Sequence, residues 1–212
     1  LKDFKTLGAK AVEITGGGEP MLYRDKETKE DINTIIECAH DLGYDIGMIT
    51  NTGKLNRLKP ENFQKLNWLR ISLIKLDEGF EPEDYDFCGF PEDKMGLSYI
   101  IYEGDTGTGT RINKSYPPTT SKTIEKIARV VELHPKIKFV RIAGNCLEKG
   151  NNAKTRDKFK DVIDSIDVNN KIFIKDIGFD DSAYDDGCYV GLVRPYGAPN
   201  PHGTGEYKIY MC

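Results

Sequence analysis

Residues 11–20 read Ala-Val-Glu-Ile-Thr-Gly-Gly-Gly-Glu-Pro. The β-branched side chains of Val12, Ile14 and Thr15 are typical of a strand, and three glycines then indicate a tight turn. Glycines let a ligand approach bare backbone, and Glu19 places a carboxylate at the strand tip, where it can accept from a cationic group such as an α-ammonium. A helical pattern follows, and α/β proteins bind ligands between the carboxyl end of a strand and the next helix. An ordinary Gly-rich turn is the alternative interpretation.

Strand and helix patterns alternate along the rest of the chain. Predicted strands cover 10–15, 45–50, 68–74, 97–102, 136–143 and 171–175, and predicted helices cover 30–42, 121–133 and 155–166. A short helix is predicted to open at Lys59-Pro60. This alternation predicts βα units and a mainly parallel sheet. After about Ile177 the composition turns to Gly, Pro, Asp and Tyr, so we expect a sheet domain over 1–176 and a C-terminal extension over 177–212.

Composition narrows the classes of function. The chain has 212 residues and a net charge of −4, so it lacks the basic surface of a nucleic-acid-binding protein. It contains no apolar stretch long enough for a membrane span and no secretory signal pattern. None of the five cysteines belongs to a C-x-x-C pair, which favours a reducing, cytoplasmic location over a disulfide framework. They are Cys38, Cys88, Cys146, Cys188 and Cys212. Cys38 lies within a helical pattern, and we expect it to be buried.

Other polar side chains lie at the ends of predicted strands. Asn51 follows the second strand, Ser72 lies near the end of the third, and Arg141 lies on the fifth. Because parallel strands end at one edge of a sheet, these residues and Glu19 form a candidate site. Each also has a simpler interpretation: Asn51 as a turn residue, Ser72 as a hydroxyl satisfied within the sheet, and Arg141 as a surface charge.

The stretch Thr15-Gly-Gly-Gly-Glu-Pro20 resembles the Gly-Gly-Glu-Pro motif of radical S-adenosylmethionine (SAM) enzymes, and later segments follow that family's order. The resemblance implies a partial (β/α)6 barrel with a curved parallel sheet, related to the TIM barrel and lacking its first strand. It also implies that the Gly-Gly-Glu-Pro motif binds the amine of SAM, that Asn51 and Ser72 contact its carboxylate or ribose, and that Arg141 packs on its adenine. The motif residues concerned are Gly17, Gly18, Glu19 and Pro20.

The main departure from the family concerns iron. Radical SAM enzymes hold a [4Fe–4S] cluster with a Cys-x-x-x-Cys-x-x-Cys loop, and one electron, supplied by a reductant such as flavodoxin or ferredoxin, then cleaves SAM to a 5′-deoxyadenosyl radical. No such cysteine triplet occurs here. We expect the chain to be a fragment whose cluster loop lies upstream of Leu1, and a degenerate protein without a cluster is the alternative. The chain alone is not expected to perform radical chemistry.

Cys188 and Cys212 resemble the start of a SPASM or twitch extension, in which cysteines bind auxiliary iron–sulfur clusters. The resemblance makes them candidate metal ligands and favours a peptide or protein substrate, although a small molecule stays open. The alternative is a pair of unpaired structural cysteines. The loop between them is longer than the usual pattern.

Two further functional hypotheses remain. One is a non-catalytic binding module on the same fold, which uses the groove for a nucleotide or metabolite and carries no cluster. The other is an ordinary barrel hydrolase or aldolase, which needs a catalytic Lys or a carboxylate pair at the strand ends. Glu13, Lys75 and Asp77 make no persuasive set, so no catalytic residue is assigned.

Overall fold

The computed structural model describes residues 1–15, 18–102, 118–144, 152–167, 170–175, 196–199 and 207–210. Six strands form one parallel sheet in chain order. They are β1 (Ala11–Ile14), β2 (Asp45–Thr50), β3 (Trp68–Ser72), β4 (Met95–Ile101), β5 (Phe139–Gly144) and β6 (Ile172–Lys175). The sheet is curved and does not close in the described residues, since β1 and β6 are its two edges. The predicted α/β fold, a partial (β/α) barrel, is therefore confirmed.

The structure describes four α-helices, α1 (Lys2–Thr6), α2 (Ile32–Asp41), α3 (Ser121–Leu133) and α4 (Asn152–Ile166). Helices α2 to α4 lie between strands where the 3.6-residue periodicity predicts them, and α1 precedes β1. The side chain of Asp31 caps α2 by accepting from the Asn33 N–H at 2.9 Å, and Thr120 caps α3. The helix predicted at Pro60 is only a short 3₁₀ turn, Pro60–Asn62.

Helices α2, α3 and α4 share one apolar core with one side of the sheet, called the outer face below, as expected for sequential parallel strands joined by right-handed crossovers. The side chains on this outer face form the core and are buried. They include Ile46, Met48, Leu69, Ile71, Leu97, Tyr99, Val140 and Ile142. The alternate positions point to the opposite face, called the inner face below, and are half-buried or exposed at most positions. The inner face of a partial barrel is thus open to a ligand.

Cys38 corrects one expectation, because the structure places it exposed on α2 rather than buried. Its neighbours Ile36 and Ala39 are fully buried. Position 38 therefore lies outside the apolar face of α2. At 3.6 residues per turn, its thiol points to solvent.

The chain folds into two compact units, Leu1–Ile177 and Gly178–Cys212. In the second unit the structure describes two antiparallel, paired strands, β7 (Tyr196–Pro199) and β8 (Tyr207–Tyr210). No helix in the described part of the chain has the length and apolar character that crossing a bilayer requires.

Candidate functional site

Glu19 links the ends of the first two strands. Its side chain caps the 3₁₀ turn Pro20–Leu22, since Oε1 accepts from the Met21 N–H at 2.9 Å. The same oxygen accepts from the hydroxyl of Thr50, the last residue of β2. The other oxygen, Oε2, accepts from the Asn51 N–H at 2.6 Å. The carboxylate is therefore oriented at the carboxyl edge of the sheet, where the sequence predicts a ligand site.

The carboxylate of Glu19 keeps capacity for a ligand. An ionised carboxylate offers about four lone-pair positions, and the three described hydrogen bonds occupy two on Oε1 and one on Oε2. One acceptor position on Oε2 remains, on a side chain that is half-buried. A charge-assisted hydrogen bond from an ammonium group fits this vacant position. The position therefore suits a cationic ligand at the strand edge.

Thr50, the residue before Asn51, is a site residue to which sequence reasoning assigned no role. Its side chain is 2% exposed, and its hydroxyl also accepts from the Thr52 N–H at 3.2 Å. A polar residue at the end of the buried alternation in β2 is the signal that points to it. Asn51, by contrast, contacts Glu19 through its backbone N–H, and its exposed side chain makes no hydrogen bond among the described residues.

The glycine turn is described in part. Gly18 is exposed, its φ lies outside the left-handed region, and a Cβ added there meets no described heavy atom within 4 Å. Gly17 lies outside the described residues. Pro20 is half-buried at the first position of the 3₁₀ turn, which its fixed φ favours. The described residues therefore impose no need for glycine at position 18.

Ser72 and Arg141 both belong to the inner face of the sheet. Ser72 pairs in register with Ser98 on β4, which pairs in turn with Arg141 on β5. All three are half-buried. The Ser72 hydroxyl has no hydrogen-bond partner within the described part of the chain, so the simpler interpretation as a hydroxyl satisfied within the sheet finds no support there. The described contacts join neither Ser72 nor Arg141 to Glu19.

Two charged inner-face residues were not assigned to the site from the sequence. Arg70 on β3 is half-buried, and Glu13 on β1 is exposed. Burial lowers the pKa of the Arg70 guanidinium, the charge of Arg141 lowers it further, and the charge of Glu13 raises it. The three charges therefore lie near one another on the inner face. Alternation along β3, with Leu69 and Ile71 buried, is the sequence signal that places Arg70 there.

Among the described residues, no three His, Cys, Asp or Glu side chains lie close enough together to hold a metal ion. Cys38 and Cys88 are free thiols on separate parts of the sheet domain. Cys188 and Cys212, the predicted ligands of an auxiliary cluster, lie outside the described residues, as does Cys146. The described residues therefore do not fit a [4Fe–4S] cluster.

No protein-family model matches the chain, and no curated protein matches it. Among solved structures, the chain is similar to the crystal structure of SuiB from Streptococcus suis, with 15% sequence identity and a TM-score of 0.41. The match covers 78% of this chain and 39% of the SuiB chain, so this chain spans about two-fifths of that protein's length. A likeness at this level carries no argument about function.

Proposed function

We propose that this chain is the SAM-binding part of a radical SAM enzyme. The observation that carries the proposal is the carboxylate of Glu19, which three donors hold at the carboxyl edge of the sheet with one acceptor position vacant. The carboxylate lies in the motif whose sequence resembles the family's amine-binding motif. An oriented, half-buried carboxylate binds an α-ammonium at a smaller entropic cost than a mobile one.

The proposed roles follow the strand ends. Glu19 accepts from the SAM amine, while Gly17, Gly18 and Pro20 shape the turn beside it. Asn51 and Ser72 contact the carboxylate or ribose, which suits the Ser72 hydroxyl because no described protein group occupies it. Arg141 contacts the adenine with the face of its guanidinium, a group that stacks readily on aromatic rings.

The chemistry of the whole enzyme requires a [4Fe–4S] cluster, which in that family delivers the electron that cleaves SAM. Since the described residues do not fit a cluster, no chemical step is assigned to this chain. We propose that the cluster ligands and the reductant, such as flavodoxin or ferredoxin, are supplied from outside these 212 residues. The substrate, a small molecule or a peptide, and an auxiliary cluster at Cys188 and Cys212 belong to the same proposal.

Calorimetric titration of the chain with SAM tests the binding role directly. Glu19→Gln keeps the shape of the side chain and removes its charge, so we expect SAM affinity to fall at least about ten-fold. Glu61→Gln is the matched control, because Glu61 is exposed and its side chain makes no described contact. Circular dichroism of each variant separates lost binding from lost structure.

The outcomes divide the candidate functions. SAM binding that depends on Glu19, with 5′-deoxyadenosine produced by the full-length protein after anaerobic iron reconstitution and reduction, supports the radical enzyme. SAM binding without iron or deoxyadenosine in the full-length protein supports the non-catalytic binding module. If the folded chain does not bind SAM, the result contradicts a SAM site at Glu19 in the radical enzyme and in the binding module alike.

A further inference from the structure

Two arginines stand on either side of β4 on the inner face. Arg70 on β3 is in register with Gly96, and Arg141 on β5 is in register with Ser98. The residues of β4 between them, Gly96 and Ser98, are small, and the ring of Phe139 lies over Gly96. Burial is the main cause that lowers the pKa of Arg70, and the like charge of Arg141 lowers it further. An anion bound by both arginines would offset this repulsion.

The protein supplies little of that compensation in its described part. The Nε atoms of Arg70 and Arg141 are both buried and without a hydrogen-bond partner. Neither guanidinium forms a described ion pair, and Glu13 acts on Arg70 only at longer range. Buried donors are nearly always paired in native proteins, so these two guanidinium groups need partners, either water or a ligand, that the described residues do not supply.

Apolar surface adjoins the two arginines. The ring of Trp68 covers Gly47, because a Cβ there would lie 2.1 Å from the indole, and the ring of Phe139 covers Gly96 in the same way. Phe173 packs against Phe139 with 5.8 Å between ring centroids. Trp68 and Phe173 are 37% and 46% exposed. A ligand held by the arginines would therefore also meet aromatic rings.

We propose that Arg70 and Arg141 bind an oxyanion group of the substrate, a carboxylate or a phosphate, whose apolar part contacts the neighbouring rings. Guanidinium groups match both oxyanions with paired hydrogen bonds. Arg70 precedes Ser72 by two residues, which places it about 7 Å deeper along β3 than the strand edge proposed for SAM. That the anion belongs to a substrate depends on the proposed function. Anion binding by the arginine pair does not depend on it.

Trp68 makes the test direct, because it is the chain's single tryptophan and lies two residues from Arg70 on the same face. The full chain is titrated with pyrophosphate, and separately with glutarate, while sodium chloride keeps the ionic strength constant. We expect a saturable change in Trp68 emission. Arg70→Gln and Arg141→Gln should each raise the half-saturation concentration at least about ten-fold. Arg57→Gln, which removes an exposed arginine charge elsewhere, should leave it unchanged.

Each result has one meaning for the proposal. Saturation with pyrophosphate alone identifies a phosphate group, and saturation with glutarate alone identifies a carboxylate. No saturable change, or an equal effect of Arg57→Gln, overturns the proposal. Arg141 is proposed to meet the adenine with its face and the anion with its N–H edge, so loss of the response in saturating SAM also overturns the proposal, because SAM would then occupy the arginine pair. A response preserved in Glu19→Gln, in which SAM binding is weakened, separates this site from the proposed SAM site.

Discussion

The backbone N–H of Asn51 donates to Oε2 of Glu19 across 2.6 Å, although the two residues belong to different strand ends. The Thr50 hydroxyl reinforces this link through Oε1. The same carboxylate thus closes the loop after β1 onto the end of β2 and leaves one acceptor position for a ligand. Glu19 therefore has a structural role beside its proposed binding role, and the variants below distinguish the two.

Gly18→Ala distinguishes an effect on the stability of the fold from an effect on the approach of a ligand. An added Cβ meets no described atom within 4 Å, so the melting temperature should change by no more than a few degrees. If SAM lies against the backbone here, the methyl group should lower its affinity several-fold in calorimetry. An unchanged affinity would contradict close approach at Gly18. Gly53→Ala is the opposite control, because its Cβ would lie 2.5 Å from the ring of Phe80 and should destabilise the fold.

Thr50→Val tests how much the hydrogen bond from Thr50 to Glu19 stabilises the fold. Valine retains the β-branched shape but cannot donate to the carboxylate, so we expect a loss of about 1–3 kcal/mol in the free energy of unfolding, measured with urea. Thr34→Val is the control, since the Thr34 hydroxyl makes no hydrogen bond in the described part of the chain. In a double-mutant cycle with Glu19→Gln, additive losses would show that the two side chains do not interact.

Asp77 should make stability depend on pH. Burial raises its pKa to about 6, while Tyr99 donates to both of its carboxylate oxygens at 2.9 Å. Because the folded pKa exceeds the unfolded value of about 4, the folded state binds the proton more tightly, and stability falls as pH rises from 4 to 6. After allowance for partial exposure, the loss is about 1–2 kcal/mol.

Asp77→Asn removes this titration and keeps an acceptor for Tyr99. The unfolding free energy of the variant, relative to the natural sequence, should therefore rise by about 1–2 kcal/mol between pH 4.5 and pH 7. Asp93→Asn changes an exposed carboxylate and serves as the control. Parallel pH profiles for the Asp77 variant and the natural sequence would contradict the assignment.

Gly47→Ala tests the contact between β2 and Trp68. The new Cβ would lie 2.1 Å from the indole, so the ring must move, at a cost of about 1–3 kcal/mol. Trp68 emission should shift to longer wavelength as the ring gains exposure. In a Trp68→Leu background the smaller side chain should relieve most of the loss. Equal costs in the two backgrounds would mean that the ring does not limit position 47.

Local patterns predict the sheet domain well for a physical reason. Alternation in β2 and β3 and the 3.6-residue period of α3 are properties of consecutive residues, so they can be read without tertiary information. Helix α3 runs over Ser121–Leu133, as predicted, and β2 over Asp45–Thr50. Alternating strands and helices then favour a parallel sheet, because parallel strands need crossover connections.

The site is predicted less completely. The motif at Gly17–Pro20 indicates where a ligand site begins, and the chemistry of Glu19 identifies an acceptor for a cation. The hydrogen bonds from Thr50 and Asn51 could not be predicted from spacing, since they depend on how closely two loops approach. The exposure of Cys38 was also missed, because the position lies at the margin of the apolar stripe of α2.

Periodicity and residue chemistry in the chain specify six strands, their helices and a polar edge at the strand ends. The pairing of Arg70 and Arg141 across β4, by contrast, follows from strand register, which long-range hydrogen bonds set. A shift of one residue in a strand would move its side chain to the other face. The folded sheet therefore decides which charges meet on the inner face, and with them the chemistry of the ligand that the face can bind.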